Sequence, residues 1–86
     1  MVSTLDIFKK EKGLVDEINY WDRCIAILNS RLEDVKNEST DYESYTYSLT
    51  ALESAIKHYQ EHKSKHLKKL AEVQIELREH LKKMLS

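Results

Sequence analysis

The feature that most constrains this chain is a run of apolar residues spaced alternately by four and three. Ile7, Leu14, Ile18, Trp21, Ile25, Leu28, Leu32 and Val35 keep that spacing, and only Glu11 interrupts it. Side chains so spaced fall on one stripe of an α-helix, the seam along which it packs lengthwise against another helix. Ser3-Thr4-Leu5-Asp6 precedes the run and fits a capping box. In that motif the Ser3 hydroxyl takes an orphan amide of the first turn, and Asp6 sits where the helix dipole favours an anion. The predicted first helix therefore covers about 4–36. Gly13 is its weak point, costing about 1 kcal/mol relative to Ala. Because the seam keeps its phase across Gly13, the helix is expected to run through it, continuous or mildly kinked.

The periodicity stops at Lys36, and a polar turn over 37–40 follows. Thr40 with Glu43 forms a second capping box and opens a predicted helix over about 41–85. Its seam runs Tyr42, Tyr45, Leu49, Leu52, Ile56, Tyr59, Lys63, His66, Leu70, Val73 and Leu77, with Leu81 and Met84 beyond. A short connection makes the two helices antiparallel neighbours, so the fold class is all-α: an antiparallel, coiled-coil-like helical hairpin. Pairing Val35 with Tyr42 sets opposite residue numbers to add to 77, which places Glu11 beside Lys63 and His66. Each seam's polar interruption then meets the other's. The expectation is a polar layer of Glu11, Lys63 and His66 that fixes register while adding little stability.

Composition agrees with one helical domain spanning 1–86. The chain has one Gly and no Pro, too few turn residues for a β architecture, and 34% of its residues are charged. Cys24 is the single cysteine, so neither an internal disulfide nor a cysteine zinc cluster can form. The opening MVSTLDIFKK lacks the apolar core of a secretion signal. The longest apolar run, Cys24 to Leu28, is far short of the roughly 20 residues that span a bilayer. A cytoplasmic protein without membrane contact is expected.

In that register the second helix outruns the first, leaving Val73, Leu77, Leu81, Met84 and Leu85 with no partner in the chain. The first helix also carries Tyr20, Cys24 and Ile27 beside its seam, an apolar arc wider than one neighbour covers. Two amphipathic helices alone bury little surface. Self-association resolves all three problems, most simply as a twofold homodimer with four helices in cross-section.

Chemistry is sparse. His58-Tyr59-Gln60-Glu61-His62 matches the H-x-x-E-H zinc-hydrolase pattern. Such a hydrolase needs a third protein ligand and an enclosed cleft, which a hairpin of this size does not supply. His58, His62 and His66 form a row at four-residue steps that can hold zinc, nickel or copper adventitiously; His80 adds no compact site. Lys57, Lys63, Lys65, Lys68 and Lys69 make the middle of the second helix basic, within a chain of net charge −1. That stretch could meet a nucleic-acid backbone, but it contains no Arg, the residue suited to bidentate phosphate and base contacts. Tyr42, Tyr45 and Tyr47 cluster at the turn, with Tyr47 off the seam as a candidate contact residue. With a single glycine there is no phosphate-cradling loop, and no cofactor is expected.

These residues predict a non-enzymatic protein–protein interaction module, an adaptor, scaffold or inhibitor that self-associates and meets a protein partner. Nucleic-acid binding through Lys57 to Lys69 is the second expectation and a metal-responsive helix the third.

Overall fold

The structure is a computed structural model. It describes the backbone of residues 3–38 and 42–86 and the side chains of 3–37 and 48–86. Two helices pack against each other: α1, Thr4–Glu38, and α2, Tyr42–Leu85. The tyrosine cluster at 42, 45 and 47 and the capping box at Thr40 fall outside the described side chains.

Residues at the start of α1 fold as their types dictate. The Asp6 amide donates to Ser3 Oγ at 3.2 Å and the Ser3 amide donates to Asp6 Oδ2 at 3.3 Å. These reciprocal bonds are the capping box read from the sequence, satisfying two amides that the first turn leaves without helical partners. The helix then runs through Gly13 without interruption, and no glycine adopts positive φ. It ends at Glu38, two residues past the expected end, with Lys36 in its last turn opposite the dipole's negative pole.

The hairpin is a rod of 67 × 17 × 14 Å, and its radius of gyration of 19.4 Å far exceeds the roughly 12 Å of a compact globule this long. So slender a body has little interior. Among the described residues only Ile7, Ile18 and Ile56 are buried, with Ile7 at 1% exposure. Each seam faces the other helix, as its spacing requires, and most seam residues are half-buried.

The register differs from the one the seams suggested. Thr4 Oγ1 donates to Met84 Sδ at 3.2 Å, Lys10 approaches Glu76 at 4.0 Å, and Asp22 pairs with Lys63 at 2.6 Å. Glu17 pairs with His66. Opposite residue numbers therefore add to between 83 and 88, about one heptad beyond 77. A whole-heptad slide leaves each seam facing its partner, so the apolar pattern tolerates it. The slide draws α1 along the C-terminal part of α2. Leu14 and Val73 now line one groove, and Val73 and Leu77 are half-buried. The expectation that this tail has no partner within the chain is thus corrected: Thr4 reaches Met84, and only Leu81, Met84 and Leu85 stay exposed.

The same slide corrects the polar layer. Lys63 and His66 pair with Asp22 and Glu17, on the flanks of α1, and not with Glu11 in its seam. The two contacts are part-exposed, each worth about 1 kcal/mol or less. The flank acids supply the ionic contacts at no cost to the seam.

Candidate functional site

The hairpin has two unlike flanks, set by which residues adjoin the seams. Residues just before seam positions, Lys10, Glu17 and Cys24 on α1 and His62, Lys69 and Glu76 on α2, lie on one side. The Lys10–Glu76 pair and the groove that Lys10, Glu17, Lys69 and Glu76 share confirm that placement. Gly13 borders this groove and, having no side chain, adds nothing over the half-buried Leu14 and Val73 between the charged residues.

Further along the same flank an aromatic and histidine cluster centres on Trp21. The Tyr59 ring stacks on Trp21 at 5.3 Å and 29°, and the His62 ring at 5.1 Å and 20°. Tyr20 meets the indole edge-on at 5.1 Å, and His66 lies tilted at 6.3 Å. Stacked rings of this kind contribute beyond their buried area, and here they join the helices at mid-length. The indole Nε1 is buried without a hydrogen-bond partner. Tyr20 is hydrogen-bonded to Cys24 one turn on, and this, with the thiol's charge when ionised, raises the phenol above its ordinary 10.0.

The histidine row divides. His66 presents Nδ1 to the His62 carbonyl at 2.7 Å and Nε2 to the Glu17 carboxylate. Both partners are acceptors, so whichever nitrogen carries the ring proton has one to meet. His66 is thereby tied to α1 and leaves the row. His58 and His62 remain together, their Nε2 atoms 3.2 Å apart. Glu61, the remaining member of the H-x-x-E-H match, is exposed. Among the described residues no group of three or more His, Cys, Asp or Glu side chains is placed to hold a metal ion.

Of the basic stretch, Lys57, Lys65, Lys68 and Lys69 are exposed, whereas Lys63 is half-buried in its pair with Asp22. The lysines do not form one face: Lys69 lines the Gly13 groove among acids, and Lys57, Lys65 and Lys68 spread over the outer side of α2.

The opposite flank carries residues just after seam positions. Phe8 and Val15 follow Ile7 and Leu14 on α1; Leu67 follows His66 on α2, and Leu81 follows the half-buried His80, which continues the seam one heptad after Val73. In antiparallel helices these positions share one side, and they stay 45%, 38%, 44% and 38% exposed. This strip lies on the half of the rod that holds Thr4 and Leu85, interrupted on α2 by Gln74, before Asp22 and Gln60 make the flank polar. Apart from Leu81, sequence reasoning missed it. The signal was present in the seven-residue spacing of Phe8 to Val15 and the fourteen-residue spacing of Leu67 to Leu81. Of the other residues expected at an interface, Tyr20 and Ile27 are exposed on the Trp21 flank and Cys24 is half-buried.

No helix among the described residues is long and apolar enough to cross a membrane. No family model matches the chain, and no curated protein or solved structure matches it either.

Proposed function

We propose that this chain is a non-enzymatic helical-hairpin interaction module that pairs with a second copy of itself through the flank bearing Phe8, Val15, Leu67 and Leu81. The single observation carrying this is the exposure of four large apolar side chains along one side of a rod that, among the described residues, buries only three well. A two-helix rod has no further layer with which to cover them, and small folds commonly complete their core by association. Two copies related by a twofold axis bring the same strip together from both sides. Four helices then stand in cross-section over the terminal half of each rod. The charged Gly13 groove and the Trp21 cluster stay outward, free for a different protein.

The double variant Val15→Glu, Leu67→Glu tests the pairing. Both positions are part-exposed, so the hairpin keeps its helical circular dichroism while light-scattering mass falls from twice the 10.2 kDa chain mass to the chain mass. A wild-type mass that the double variant leaves unchanged places any association elsewhere and refutes the assignment.

A further inference from the structure

The His58–His62 pair lies on the flank away from the self-association strip, so its chemistry is independent of that pairing. The residues are one helical turn apart, so both imidazoles leave the same side of α2. Their rings meet edge-to-face with centroids 4.5 Å apart, and the Nε2 atoms stand at 3.2 Å. His62 is held from two directions: its ring lies on Trp21, and its carbonyl takes the His66 ring. His58 is exposed and free to turn.

Imidazole nitrogens bind zinc at about 2.0–2.1 Å, so two nitrogens at this separation subtend about 100° at a shared ion. That angle falls between the cis angle of a square-planar site and the tetrahedral one. We infer that His58 and His62 form a two-imidazole chelate for a borderline divalent cation, with water filling the remaining coordination positions. Affinity for imidazole donors among such cations peaks at Cu(II), which is the ion this pair holds most tightly, ahead of Ni(II) and Zn(II). In the metal-free chain the two Nε2 atoms face each other at hydrogen-bond distance. Binding a cation uses both Nε2 lone pairs, so each bound ring carries its proton on Nδ1. Only His58 has to turn, because the Trp21 stack already orients His62.

The chain's single tryptophan makes the test direct, since a Cu(II) ion on His62 sits one ring from the Trp21 indole and quenches its emission. Cu(II) titrated into the full chain at neutral pH is expected to quench fluorescence saturably at one equivalent, reversibly on adding a chelator. His58→Ala leaves the Trp21–His62 stack in place and removes the saturable phase, while His80→Ala keeps it. Quenching that never saturates, or that saturates equally in His58→Ala, overturns the site. So does loss of the saturable phase in His80→Ala with retention in His58→Ala.

Discussion

Replacing Gly13 with Ala isolates how much the groove costs the hairpin. Gly13 lies inside a 35-residue helix with no positive φ, so an L-residue fits the backbone without strain. A Cβ built there meets nothing within 4 Å, so it clashes with neither helix. What remains is intrinsic. Alanine loses less conformational freedom than glycine on entering a helix, and the substitution should stabilise the fold by about 1 kcal/mol. For a chain of this size that raises the melting temperature by about 4–8 °C. Urea unfolding followed by circular dichroism, at one fixed chain concentration because association adds to apparent stability, should show the midpoint rise with an unchanged slope. A lower midpoint would refute the reasoning, since it would mean that the groove at Gly13 is filled by a packed neighbour.

The packing sets three further outcomes. Ile7→Ala removes the most buried of the described side chains and should cost about 2–4 kcal/mol, measured by the same unfolding curve, far more than Phe8→Ala beside it. Lys63→Gln breaks a part-exposed ion pair with Asp22 and should cost about 1 kcal/mol or less, a difference that shrinks in high salt. Tyr20 should ionise above the ordinary phenol value of 10.0, chiefly through its hydrogen bond with Cys24, and Cys24→Ala should bring it back, read as the ultraviolet titration difference from the matching Tyr20→Phe chain. A raised folded value favours the neutral phenol. This contribution to stability is therefore complete below the unfolded value and is lost as pH rises through the folded one.

Faces were legible in the sequence and register was not. The spacing from Ile7 to Val35 and from Leu49 to Leu77 names the residues that turn inward, and the Ser3–Asp6 box marks where α1 begins. A seven-residue repeat looks the same after sliding by seven, so it leaves the alignment of α1 on α2 open to one-heptad steps. Coincidence of Glu11 with Lys63 and His66 favoured one step; covering Val73 and Leu77 favoured the next. Seam-to-seam arithmetic leaves out the flanks, where Asp22 and Glu17 meet Lys63 and His66. The same omission hid the strip of Phe8, Val15 and Leu67, whose importance shows only once both helices are placed side by side. The Trp21 cluster was hidden for a related reason: His62 comes opposite the indole only in the shifted register.

Self-association is the claim on which the proposed function turns, and sedimentation equilibrium of the unmodified chain over a wide concentration range tests it most directly. Pairing through the apolar strip predicts a mass approaching twice 10.2 kDa as concentration rises. A mass that stays at that of one chain throughout would contradict it.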